Sequence, residues 1–127
     1  MSVLDHIHYY TSDPDKTAAW FQTYFGAEIV AAPPRNGLRR ANLRFGETMI
    51  FLSERAGTPG PALGDSELGL NHLAFKVRDV DGLIARMRAD GVEISSEPVT
   101  SRPGIRGAYV RGPENVRIEL STLPPST

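Results

Sequence analysis

Four residues carry most of the chemistry open to this sequence: the histidines His6, His8 and His72, which are all it has, and the glutamate Glu119. Imidazole and carboxylate are side chains that accept divalent ions, and imidazole is also the acid or base that titrates near neutral pH. The chain contains no cysteine, which excludes a disulfide framework, a thiolate metal site and a cysteine nucleophile together. One histidine on a strand is more often a satisfied core or surface group than a ligand. Here two of them occupy equivalent places in a repeat.

The repeat fixes the elements that must hold these residues. Asp5-His6-Ile7-His8-Tyr9 lies over Asn71-His72-Leu73-Ala74-Phe75 after a shift of 66 residues. Seven residues beyond His6 and His72 come Asp13 and Asp79, each placed as a helix N-cap. The pattern predicts helices over 14–25 and 80–90, with Pro14 at the tolerated first position and Gly26 and Gly91 as stops. Similar strands follow over 26–30 and 91–95. Each half then ends in a hairpin, 38–45 with 48–53 and 108–111 with 116–121, the second turning at Gly112-Pro113-Glu114-Asn115. The expected fold is therefore α+β: two βαβββ modules over 1–55 and 70–122, joined by a Gly- and Pro-rich linker over 56–69 within a single domain of 127 residues. The tail over 123–127 is expected to fray.

Alternation along the strands assigns faces. Ile7 and Tyr9, and likewise Leu73, Phe75 and Val77, take the apolar positions that pack under a helix, which turns His6, His8, Tyr10, His72, Ala74 and Lys76 to the opposite face. On the last strand Val116, Ile118 and Leu120 face the helix and Glu119 points the other way, where a carboxylate needs a cation or hydrogen bonds. A module of this kind has a helix on one face only, so its other face must be covered by the second module or by a partner chain.

With 40% hydrophobic and 23% charged residues the composition is that of a folded globular protein. Fourteen basic against fifteen acidic residues, with no basic block, argue against a nucleic-acid partner. No apolar run approaches the ~18 residues of a membrane span and the amino terminus lacks a leader pattern, so a cytoplasmic location and no membrane partner are expected.

This arrangement resembles the vicinal oxygen chelate superfamily, which includes glyoxalase I, methylmalonyl-CoA epimerase, extradiol dioxygenases, fosfomycin-resistance transferases and bleomycin-resistance proteins. Its members pair strand-helix-three-strand modules whose curved mixed sheets surround a divalent metal. His6 in Leu4-Asp5-His6-Ile7 and His72 in Leu70-Asn71-His72-Leu73 match the two first-strand ligand positions, and Glu119 in Val116-Arg117-Ile118-Glu119-Leu120 matches the last-strand carboxylate. The resemblance thus implies a site for Fe2+, Mn2+, Zn2+, Co2+ or Ni2+ held by His6, His72 and Glu119. At the family's fourth position Ile50-Phe51-Leu52 lies over Ile118-Glu119-Leu120, so Phe51 stands where glyoxalase I and the epimerase carry Glu or Gln. In this the chain is closer to the dioxygenases and the fosfomycin transferases. The turn at 112–115 replaces the Asp-Pro-Asp-Gly frequent in the family with equivalent turn chemistry.

Around that set, His8 is a candidate acid or base two residues beyond His6, and Tyr109, on a strand too short to fix its face, is a candidate oxyanion donor. Arginine supplies twelve of the fourteen basic residues, so position must decide among them. Arg40, Asn42 and Arg44 alternate toward the cavity side or its rim. Arg102 and Arg106 are expected in a Pro-Gly loop above the last hairpin. Asn42, Arg44, Phe51 and Arg106 are the candidate substrate contacts. Trp20, Phe21, Tyr24 and Phe25 have the spacing of a helix core face. The expected function is a metal-dependent dioxygenase, lyase or isomerase that acts on a small metabolite by chelating adjacent oxygens. The alternatives are metal-free small-molecule or antibiotic binding, as in bleomycin resistance, and fosfomycin-type thiol transfer, against which the short tail after Glu119 argues. Incomplete burial, with Met49 and Phe51 left to cover, and the resemblance together imply a homodimer.

Overall fold

The computed structural model describes residues 1–124, and the part of the expected frayed tail at 125–127 lies outside them. The chain runs β1 (His6–Thr11), α1 (Pro14–Phe25), β2 (Glu28–Arg35), β3 (Leu38–Phe45), β4 (Thr48–Glu54), β5 (Leu73–Val77), α2 (Val80–Ala89), β6 (Ile94–Arg102), β7 (Ile105–Arg111) and β8 (Arg117–Thr122), with a short 3-10 turn at Pro113–Asn115 before the last strand. It divides into two compact units, Met1–Pro59 and Gly60–Thr127. Each is a four-stranded mixed sheet, ordered β1-β4-β3-β2 in the first and β5-β8-β7-β6 in the second. This is the expected α+β fold of two βαβββ modules.

Local chemistry explains the elements. The Asp13 carboxylate accepts from the Lys16 amide at 3.1 Å and that of Asp79 from the Gly82 amide at 2.9 Å, so both predicted caps form. Gly26 ends α1 in the left-handed conformation that only glycine adopts freely. In the first unit Phe21, Leu43, Ile50 and Leu52 are buried between α1 and the sheet; in the second Ile84, Met87, Val110, Ile118 and Leu120 do the same under α2. Within the aromatic stripe of α1 only Phe21 is fully core, while Trp20, Tyr24 and Phe25 are half-buried around it.

Two expectations about strands need correction. β2 and β6 extend well beyond 26–30 and 91–95, through Pro33-Pro34 and Pro98. Both are edge strands whose ladder register breaks at these prolines, so the missing N–H groups cost no ladder bond. Arg102 and Arg106 are not in a loop. They end β6 and begin β7 across a tight turn at Pro103-Gly104.

The stretch expected as a plain linker is bound between Gly60 and Asp65. Arg117 donates to the Gly64 carbonyl at 3.0 Å and to Asp65 Oδ1 at 3.0 Å, Arg111 reaches the Leu63 carbonyl, and Asn115 donates to the Gly60 carbonyl at 3.2 Å. Arg117 is buried as a result.

Candidate metal centre and its surroundings

In the first unit β1 pairs in parallel with β4, setting His6 beside Met49 and His8 beside Phe51. The His6 ring stacks on Phe51 with centroids 4.1 Å apart and planes 19° from parallel. Its Nδ1 lies 2.7 Å from Asp5 Oδ2. That contact occupies Nδ1 and leaves Nε2 as the ring nitrogen turned away from Asp5. His8 extends along the same face, with Nε2 2.7 Å from the buried Ser53 hydroxyl. Loss of solvation and, after it, the charges of His6, Arg55, Arg35 and Arg40 hold the His8 pKa below that of an ordinary histidine, so its ring is neutral at pH 7. His6, His8, Arg40, Asn42 and Phe51 line one cleft of about 250 Å³. Arg44, on the same strand as Arg40 and Asn42, is held by Glu28 at 3.3 Å.

The second unit repeats the device. His72 Nδ1 lies 2.7 Å from Asn71 Oδ1, an oxygen that also receives a hydrogen bond from Arg117. His72 Nε2 then faces Glu119 Oε1 at 3.6 Å. The ladder sets Tyr109 directly opposite Glu119, which settles its face: the phenol shares the sheet face of the carboxylate. Burial, reinforced by the nearby Glu119 carboxylate, pushes the Tyr109 pKa up, so the hydroxyl keeps its proton. Its ring meets His72 edge-on at 5.2 Å and carries the Arg117 guanidinium 4.0 Å above it. Arg106 turns instead to the first turn of α2 and pairs with Asp81 at 2.7 Å.

Whether a divalent ion fits can be judged from the donor set. With Nδ1 against Asn71 Oδ1, the His72 ring turns its Nε2 toward a carboxylate oxygen, a nitrogen and an oxygen of the kinds that ligate divalent ions. Two ligands bound at about 2.0–2.2 Å to one tetrahedral ion stand about 3.3–3.6 Å apart, and the observed 3.6 Å matches. The pair fits a metal. Within the described residues no group of three or more His, Asp or Glu side chains gathers as a ligand set; His6 lies in the first unit, and His72 with Glu119 in the second.

Asp5, Asn71 and Ser53 were not singled out from sequence. A signal was present for two of them, since the repeat places an Asp or Asn immediately before each matched histidine. Nothing in the sequence pairs Ser53 with His8, which lies 45 residues away.

Two units of strand, helix and three strands, each with histidine on its first strand or just before it, define a paired-module protein of the glyoxalase type. Residues 3–120 match the model of the Glyoxalase/Bleomycin resistance protein/Dioxygenase superfamily, and the chain belongs to that family. It is 29% identical over 125 residues to a lactoylglutathione lyase of Arabidopsis thaliana and 28% identical over 125 residues to a putative lactoylglutathione lyase of Brassica oleracea var. gemmifera. These matches take in 95% of this chain and 44% of each relative, so the chain spans under half their length. Among solved structures, a mutant of the genomically encoded fosfomycin resistance protein FosX from Listeria monocytogenes, complexed with Mn(II) and 1S,2S-dihydroxypropylphosphonic acid, superposes with a TM-score of 0.74 at 25% identity, over 98% of this chain and 94% of that one. A glyoxalase family protein from Bacillus cereus shares the fold at a TM-score of 0.80 and 21% identity, over 94% and 92% of the two chains.

Proposed function

We propose that this protein is a metal-dependent enzyme that acts on a small metabolite through two adjacent oxygens, with His6, His72 and Glu119 as the ligands. The observation that carries the reading is the His72–Glu119 pair, an imidazole nitrogen and a carboxylate oxygen 3.6 Å apart with the other ring nitrogen against Asn71. When bound, the ion supplies Lewis-acid polarisation of substrate oxygens. Phe51 at the family's fourth ligand position leaves three protein ligands, which keeps positions open for a chelating substrate.

The chain's own residues supply the rest. His8, neutral at pH 7 and held by Ser53, is the base that takes a proton from substrate carbon or oxygen in the first-unit cleft. Tyr109, protonated and directly opposite Glu119 in the ladder, is a donor beside that carboxylate. Asn42 and Phe51 supply one polar and one apolar wall of the cleft. Arg44 and Arg106 are proposed as rim contacts that would exchange Glu28 and Asp81 for substrate. Lyase chemistry is supported by the curated relatives' names, and dioxygenase chemistry by the three-ligand set.

Calorimetric titration of Mn(II) into chelator-stripped protein tests the reading. Saturable binding is expected, weakened ~10-fold or more by Glu119→Gln, which keeps shape but removes the ligand charge. Absence of saturable binding would overturn the metalloenzyme reading and leave metal-free small-molecule binding in its place. Oxygen uptake with catechols then separates dioxygenase from lyase or isomerase.

A further inference from the structure

Two groups stand out among the twelve arginines of this protein. Arg39, Arg44, Arg88, Arg106 and Arg117 each reach a carboxylate. Arg35, Arg40 and Arg55 form no ion pair among the described residues, yet the three are gathered around one recess of about 70 Å³ that adjoins the cleft of the first unit and shares His8 and Ser53 with it. Neither hollow has an aspartate or glutamate in its lining. Grouping three cations without a counter-charge is unfavourable unless something anionic repays it.

The backbone builds this grouping. A register shift in the β2–β3 ladder between Ala32 and Arg35, followed by a turn with positive φ at Asn36 (53°) and Gly37 (76°), sets Arg35 at the hairpin end. Arg40 spends its Nε on the Pro33 carbonyl at 2.8 Å, which holds the guanidinium in place and keeps both terminal nitrogens for a ligand. Arg55 lies over the Tyr10 ring, 4.5 Å from its centroid, with one nitrogen on the Glu54 carbonyl at 2.7 Å. Two of the three guanidinium groups are thus pre-positioned, and ordering them on a ligand costs little further entropy.

We propose that Arg35, Arg40 and Arg55 form an oxyanion subsite in the first unit, which takes the carboxylate, phosphonate or phosphate group of the substrate while its other oxygens lie toward His6 and His8. Guanidinium forks match planar and tetrahedral oxyanions alike, and three positive charges favour a dianion over a monoanion. The substrate class is therefore a small molecule with an anionic end. The inference deepens the reading of the cleft as the substrate site, but the subsite itself needs no metal.

The test is NMR titration of the chelator-treated, full-length protein with methylphosphonate and, separately, acetate, at constant ionic strength against chloride. Saturable shifts are expected at the amides of Arg35, Arg40 and Arg55, with methylphosphonate bound more tightly than acetate; the reverse order would keep the subsite and assign it to a carboxylate. Arg40→Gln should weaken binding ~10-fold, and the Arg35→Gln, Arg55→Gln double variant at least as much. Arg39→Gln removes the same charge from the same sheet at a residue already paired with Glu54, and should change affinity less than 2-fold. Unsaturable shifts with both anions, or equal weakening by Arg39→Gln, would overturn the subsite. Because chelator is present, anion binding can succeed where the Mn(II) titration fails, and the two ideas stand or fall separately.

Discussion

His6 and His8 sit two residues apart on one face of β1, but their hydrogen bonds give them different work. His6 has an acceptor on Nδ1 and a ring stacked on Phe51, which suits a ligand held still. His8 has its Nε2 on Ser53 and a depressed pKa, which suits a base. A pair of substitutions should separate the two roles. His8→Ala is expected to leave Mn(II) affinity within about 2-fold and to lower turnover by ~100-fold, the usual size of a lost acid or base. Asp5→Ala is expected to do the reverse, weakening Mn(II) by ~10-fold through loss of the Nδ1 acceptor, with Asp5→Asn restoring it. Calorimetry and steady-state rates on both variants check this, and equal losses of affinity would merge the roles. At this scale the sequence named the three histidines, Glu119 and Tyr109. It did not reveal Ser53 or Arg35, because contacts across strands depend on a register that no local pattern specifies.

At the scale of elements, both helices were legible because their ends are written in side chains. Asp13 with Pro14, Gly26, Asp79 and Gly91 mark starts and stops by capping chemistry that needs no tertiary partner. The edge strands were less legible, since Pro33, Pro34 and Pro98 signal a break anywhere but at an edge, and edge position is a property of the sheet. The cap of α2 carries a further consequence. A Cβ on Gly82 would lie 2.2 Å from the Asp79 carboxylate oxygen, so glycine there leaves room for the cap. Gly82→Ala should gain about 1 kcal/mol of helix propensity and lose about as much through the displaced cap, for a net change near zero. In an Asp79→Ala background, where the cap is already gone, the same change should stabilise by about 0.5–1 kcal/mol. Urea unfolding of the four proteins of this cycle measures the coupling, and additivity would show that cap and glycine are independent.

For the whole molecule the repeated unit sets the question of assembly. α1 covers one face of the β1-β4-β3-β2 sheet, and among the described residues no second element of that unit lies over the other. The uncovered face carries His6, His8 and Phe51, and β1 and β2 are open edges. Ile29 and Leu38 remain exposed at 39% and 36%, and Val99 on β6 at 59%. No helix among the described residues is long and apolar enough to cross a membrane, so a lipid-spanning helix does not account for that surface. Open edges and half-covered sheets invite pairing with a second copy, and a two-fold arrangement lets each chain cover the same face of the other. Light scattering at micromolar concentration is therefore expected to give the mass of two chains. Because the dimer would bury the first-unit sheet face, a lysine in place of half-buried Met49 should shift the protein toward the one-chain mass and lower its thermal midpoint together. A one-chain mass for the unaltered protein would overturn the dimer.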